Sequence, residues 1–365
     1  MSETITGFAT AEVLRTLMGA ILQGDRTASQ RWTAELLCTE KGYPKLLGVY
    51  ISLAYRFFLS AGYSWVPHVR AKLRLLEEKW RTSGANLKSF RNNTEVRGTV
   101  AEWTEIWCQQ QQKSSPKIPT KKEVLVIAAT LKDNLKKAHS PSLHPAVTAV
   151  WKAHYDCDDL RILSNELMWA IQYHQLTRAL LYFSWIWELD EERAKGNDSV
   201  FHLKRGPSHL PENASKHIGW FLCSLFQTYA SSNQSVKSVI DDVLELWNES
   251  WLLLGKTQRK QCLGSICAWL TEATFSTNGI IKNPDQVRKF VSENEAIYTV
   301  IKNEIENHHT IKEAETERQQ IVMENTDRFS MTKAQRERAT VKKMEAANKQ
   351  IASLLGIDFT EFEDD

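Results

Sequence analysis

Arg70, Lys72, Arg74, Arg81, Lys88, Arg91 and Arg97 fall within one short stretch, with Trp65, Trp80 and Phe90 set among them. Basic side chains neutralise phosphates and aromatic rings stack bases, so this stretch is the candidate nucleic-acid contact. Lys113, Lys117, Lys121 and Lys122 prolong the basic run. Against this, Glu77 and Glu78 interrupt it, and Trp80 falls on the apolar stripe of its own helix. A solvated basic face is the alternative.

Other chemistries find less support. His139, His144, His154 and Cys157 lie close in sequence, with Asp156, Asp158 and Asp159 nearby, but His139 and His144, five apart beside prolines, are not read as a standard zinc pair, and surface or capping histidines are the expectation. His308 and His309 adjoin and would point apart on a helix. No GxSxG elbow occurs, and no GxxxxGK[ST] or GxGxxG. The Gly255-Lys256-Thr257 triplet lacks the upstream glycine and reads as a helix boundary. Asp241, Asp242, Glu245 and Glu249 form an acidic strip at helical spacing, read as a solvated face. No catalytic, cofactor-binding or metal-ligating residue is assigned, and a non-enzyme is expected.

The C-terminal region suits a partner. Val341, Met344, Ile351 and Leu355 take a and d positions of about two heptads, with Asn348 at an a position. Beyond them Phe359 and Phe362 sit among Asp358, Glu361, Glu363, Asp364 and Asp365. A thin amphipathic helix with an acidic-aromatic end can dock on another protein. Removing 333–365 is expected to weaken partner binding and leave the fold intact. Nucleic acid is the second partner class, and an oligomer is allowed.

The elements that must position these residues read as helices. Leu14, Leu17, Met18 and Ile21 fall at helical spacing; Gly24 can close that helix and Asp25 can cap the next, with Ala28, Trp32 and Leu36 on its stripe. Stripes at Leu46/Tyr50/Leu53/Phe57, Val69/Leu73/Leu76/Trp80 and Val96/Val100/Trp103/Trp107 follow. Thr120-x-x-Glu123 is a capping box. Helices near 146–156 and 160–174 lead to Leu176–Leu189, LTRALLYFSWIWEL, which is apolar almost all round and predicts a buried central helix. Residues 196–214, with two glycines and two prolines, predict a long surface loop. Further stripes run from Ile218, Val236 and Leu263. A thinly apolar helix starts at Pro284, with Val287, Val291, Tyr298, Ile301 and Ile305 inward, and a last helix is expected at 333–355.

The fold class is therefore all-α. The predicted organisation is an N-terminal helical domain (1–108), a linker (109–121), a main helical bundle (122–275) and a charged helical tail (276–365). The alternative for 109–121 is a surface loop within one domain. Leu17-Met18-x-Ala20-Ile21 recurs as Leu167-Met168-x-Ala170-Ile171, each followed by a Trp-bearing helix ending Glu-Leu. A duplicated hairpin or chance likeness between amphipathic helices would both produce this echo.

Composition agrees. The chain has 42% hydrophobic and 25% charged residues, few glycines and prolines, and 13 tryptophans, which favour thick helix packing. Its net charge of +2 selects no partner. Residues from 276 onward carry 13 Lys and Arg against 17 Asp and Glu, and those before it 33 against 27. The six cysteines show no CxxC and no disulfide spacing, so they are expected as free, buried thiols in a reducing compartment, cytoplasmic or nuclear. MSETITGFATAEVL lacks the basic region and apolar run of a secretory signal, so none is expected. No apolar stretch reaches the length of a membrane span, so no membrane is expected as partner.

Ala20-Ile21-x-x-Gly24-Asp25, followed by Trp32-x-x-Glu35-Leu36, resembles a pattern in the helical C-terminal, collar-like regions of clamp-loader-like AAA+ proteins. It is also similar to helical proteins of large nucleocytoplasmic DNA viruses. The likeness covers residues 20–36. The AAA+ core is absent, so no ATPase activity is implied. What it implies is a collar or scaffold role near DNA-handling or virion machinery. The expected function is a non-enzymatic helical scaffold acting through protein–protein contacts, as a component of a large DNA virus. The alternative is a DNA replication or repair accessory protein binding nucleic acid through a basic N-terminal face.

Overall fold

In the computed structural model, the described residues are 3–58, 65–110, 116–125, 142–194, 203–272, 279–326 and residue 342. Among them the chain is all-α, with no strand beyond an isolated bridge between Glu3 and Ala9. The helices are α1 (Thr10–Gln23), α2 (Arg26–Cys38), α3 (Gly42–Leu53, continued by a π turn over Ala54–Phe58), α4 (Trp65–Thr82), α5 (Leu87–Arg91) and α6 (Thr94–Cys108). Then come α7 (Pro145–Val150), α8 (Asp158–Gln172), α9 (Leu176–Ala194), α10 (Glu212–Ser215), α11 (Ile218–Ala230), α12 (Gln234–Glu249), α13 (Lys256–Glu272) and α14 (Pro284–Thr326).

Helix limits follow local chemistry. Gly24 closes α1 at φ 69°, a conformation that costs glycine little, and the Asp25 side chain accepts from the Ala28 N–H at 3.0 Å to open α2. Asn86, Asn93 and Asn233 cap α5, α6 and α12 in the same way. The capping box is reciprocal: the Thr120 N–H donates to the Glu123 carboxylate at 2.7 Å, and the Glu123 N–H donates to Thr120 Oγ1 at 3.4 Å. Gly255 sits just before α13, its N–H donating to Gln258 Oε1 at 2.8 Å, so the Gly-Lys-Thr triplet is a helix start.

The helix expected to be central is exposed at Thr177 and Arg178 in its first turn and buried through its middle. Every residue from Tyr182 to Leu189 on α9 is buried, and α8, α11 and α13 pack round it. One hydrophobic cluster runs from Val13 through both helical blocks to Ile301. The boundaries drawn from composition therefore do not divide the core. Ile118, in the expected linker, lies against Gly264 of α13 and is packed on the cluster. The carbonyl of Pro119 accepts from Ser184 Oγ at 3.2 Å. The composition shift near 276 is equally misleading at first, because α14 opens by docking on α6 and α2 with Val287, Phe290, Tyr298 and Ile301 buried. A low share of apolar residues still suffices when they all fall on one face.

The two halves repeat a corner. At the α1–α2 turn the Gly24 N–H donates to the Ile21 carbonyl at 3.1 Å and the Asp25 N–H to Ala20 at 2.9 Å. At the α8–α9 turn the His174 N–H donates to Ile171 at 3.1 Å and the Gln175 N–H to Ala170 at 2.8 Å. Both corner residues are left-handed, Gly24 at 69° and His174 at 56°. A third helix packs on each hairpin, α6 on the first and α13 on the second. The same turn closes α4, where the Gly84 N–H donates to Arg81 at 3.1 Å and the Ala85 N–H to Trp80 at 3.2 Å, so it is a common helix end and both origins of the echo stay open.

Candidate interaction surfaces

The basic stretch does not form one open patch. Arg70 lies on α4 opposite α12, where its guanidinium meets Glu249 at 3.0 and 3.1 Å, Glu245 at 2.7 Å and Asp242 at 3.6 Å. Arg74 reaches the same Glu249 at 3.5 Å. Two cations of α4, Arg70 and Arg74, thus meet three carboxylates of the acidic strip of α12, while Asp241 of that strip pairs with Lys237 at 2.8 Å. The Glu249 hydrogen bonds raise the Arg70 pKa further above its already high value. Lys72 pairs with Glu102 and Lys79 with Glu95. Arg91 donates to the Cys38 carbonyl at 2.5 Å. Arg97 pairs with Glu295 of α14 at 2.7 Å and lies 4.2 Å from the centre of the Tyr298 ring.

Arg81 and Lys88 are exposed, and the Arg74 side chain is 66% exposed. The rings expected beside them face inward. Trp65 and Phe90 are buried, and half-buried Trp80 packs on Tyr43 and Phe90. Helical periodicity turns these rings toward the core, so the stretch offers no stacking platform.

The histidine–cysteine group does not converge either. His144 caps α7, its ring accepting from the Ala146 N–H at 3.2 Å and meeting Gln172 Oε1 at 3.1 Å. Burial lowers its pKa. His154 is exposed, and His139 lies outside the described residues. Buried Asp156 instead binds Arg205 at 2.6 Å and accepts the Lys152 N–H at 2.8 Å. This pair ties the described part of the expected surface loop, 203–211, to the segment before α8. Among the described residues no group of three or more His, Cys, Asp or Glu is placed to hold a metal ion. The cysteines are free thiols, all buried except half-buried Cys157. Burial pushes the Cys38 and Cys108 thiols up to about 11, and those of Cys223, Cys262 and Cys267 up as well. Burial of this kind disfavours the thiolate form at these five positions. No helix of the described residues is long and apolar enough to cross a membrane.

The C-terminal candidates Val341, Met344, Ile351, Leu355, Phe359 and Phe362 lie outside the described residues.

A surface that periodicity did not mark is a groove of about 410 Å³ between α1, α3 and the α12–α13 turn. Leu14, Met18, Val49 and Leu253 make its apolar walls. Arg15, Lys45 and Arg56 bring three cations to it, and no carboxylate or aromatic ring is among its described lining residues. Its geometry is set by a close approach. A Cβ at Gly48 would lie 2.7 Å from the Leu253 carbonyl oxygen, so only glycine lets α3 meet the turn there. Gln258 Nε2 donates to the Gly48 carbonyl at 3.4 Å across the same contact. Leu252, beside Leu253, is 74% exposed. The groove joins residues more than two hundred positions apart, and a one-dimensional pattern holds no such signal.

No protein-family model, curated protein or solved structure matches this chain.

Proposed function

We propose that the chain is a non-enzymatic helical scaffold that works through protein–protein contacts, in the setting its resemblance implies, the virion or DNA-handling machinery of a large DNA virus. The observation that carries this reading is the length of α14. At 1.5 Å per residue its 43 residues extend about 64 Å, and its described core-packed residues, Val287 to Ile305 against α6 and α2, fall in its first half. A helix that outruns its support by this margin suits an arm presented to another protein. Replacing 307–326 with a Gly-Ser segment of equal length tests this. Quantitative affinity purification should lose the partners that the native chain retains, at an unchanged melting temperature. An unchanged set of partners would exclude the arm.

The second reading is nucleic-acid binding through the exposed cations Arg74, Arg81 and Lys88. Three phosphate contacts give a log–log salt slope of about −3, against about −6 for all seven basic residues. Titrating a duplex DNA fragment at several salt concentrations separates these cases, and absence of binding at low salt removes the reading.

A further inference from the structure

We propose that residues 3–9 form a latch on the root of α14, acting through the contacts Thr6–Glu35–Arg31–Glu304. The hub is Glu35 on α2, whose side chain is fully buried. Its Oε1 accepts from the Thr6 N–H at 3.1 Å and from the Thr6 hydroxyl at 2.7 Å, and Thr4 adds a further hydrogen bond. Its Oε2 accepts from Arg31 Nη1 at 2.9 Å. The other amino group of that guanidinium, Nη2, pairs with Glu304 of α14. Glu304 lies between Ile301 and Ile305, the last described residues of α14 packed on the core. The pin therefore sits where the core packing of α14 ends.

The segment that covers Glu35 is a small closed turn. Its Gly7 N–H donates to the Thr4 carbonyl at 3.0 Å and its Thr4 N–H to the Phe8 carbonyl at 2.8 Å. Elsewhere it meets the body at Ile5, whose N–H donates to Thr39 Oγ1 at 3.1 Å, and at exposed Phe8, edge-on to Trp32 at 5.4 Å. When the segment lifts, Oε1 of Glu35 loses its donors in a buried site, and a buried carboxylate oxygen without a donor is costly. Arg31 is already bound at Oε2. A guanidinium fork matches both oxygens of one carboxylate, so Nη2 turns from Glu304 to Oε1. Glu304 gives up its partner at little cost, because its side chain is 41% exposed and water replaces the guanidinium. The bidentate pair on Glu35 and the pin on Glu304 thus exclude each other, and Thr6 decides between them. Seated, the segment fixes the root of α14; lifted, it frees the helix beyond Ile301. Control of partner binding by this latch rests on the reading of α14 as an arm, whereas the latch itself does not.

The test is hydrogen exchange by mass spectrometry on the full chain. Thr6→Val should accelerate exchange severalfold over 300–306. Exchange over 287–296 should stay at the parent rate, because Gln30 and Arg97 hold that stretch through Asn294 and Glu295 without involving Glu35. Glu304→Gln should accelerate 300–306 by a similar factor, and adding Thr6→Val to it should change nothing further, since both act through one pin. Thr6→Ser keeps the hydroxyl and should restore the parent rate. If Thr6→Val does not fold, Phe8→Ala loosens the same segment from Trp32 and should reproduce the acceleration. Additive effects of Thr6→Val and Glu304→Gln, acceleration spread evenly over α2 and α14, or unchanged exchange would overturn the latch. The arm is judged apart, by the partners lost on replacing 307–326. Exchange coupling in a chain whose partners survive that replacement would keep the latch and remove the arm, and partners lost without exchange coupling would do the reverse.

Discussion

Burial moves His68 on α4 from its usual pKa to about 4, and the nearby Lys72 cation adds to the fall. Between pH 4 and 6.5 the unfolded chain therefore binds more protons at this residue than the folded one. Stability from neutral His68 is full above 6.5 and is lost as pH drops toward 4. His144 moves in the same direction. Burial alone would raise the Glu35 carboxyl, but hydrogen bonds from Thr4, Thr6 and Arg31 hold it below its ordinary value, so its contribution is lost only at lower pH still. The melting temperature should fall steadily from pH 7 to pH 4, and His68→Leu should flatten that fall; an unaltered slope in the variant would reject the assignment. Asp156→Ala leaves Arg205 without its carboxylate in a buried site and should cost about 3–5 kcal/mol, read by urea denaturation. Legibility at this scale depends on sequence distance. Asp25 and its Ala28 partner, or Thr120 and Glu123, lie three residues apart and can be read directly. Arg70 and Glu249 lie 179 residues apart, and neither residue type announces the other.

Helices were legible because each apolar stripe reports its own period, while the packing between them was not. In sequence Ile118 reads as part of a linker, since its neighbours are serine, lysine and proline. In the fold it fills the gap left by the missing side chain of Gly264, with Phe183 on the other side. A Cβ at Gly264 would fall on Ile118 and within 3.1 Å of Phe183 Cε1. Gly264→Ala should therefore destabilise by about 1–3 kcal/mol despite the better helix propensity of alanine, and hydrogen exchange over 116–125 should accelerate. Exchange unchanged from the parent would show that the segment is held by other contacts. The basic run of α4 misled for a related reason. Charge density along a sequence does not tell whether solvent or a second helix lies opposite.

One hydrophobic cluster spanning the helical blocks and the first half of α14 predicts one unfolding transition. Ile301→Ala, on α14, should cost about 2–5 kcal/mol and shift that transition as a whole, as followed by calorimetry and by tryptophan fluorescence together. Two resolved transitions would restore the division into independent domains. Composition suggested that division because the sign of the net charge changes near residue 276 and all 13 tryptophans precede it. Both quantities average over the faces of a helix, and a docked amphipathic helix has two unlike faces.

The paired corners are alike in trace but not interchangeable. A glycine at 174 would relax a backbone angle that side chains rarely adopt, which is ordinarily a gain. It would also cut the bond between His174 Nδ1 and the Thr271 carbonyl at 2.6 Å, which pins the second hairpin to α13. The reverse graft fares no better. At Gly24 any Cβ is strained by the backbone and lies 3.4 Å from the Cys108 carbonyl oxygen at the end of α6. A chimera that exchanges the two turns would thus lose an anchor at one end of the molecule and strain the backbone at the other.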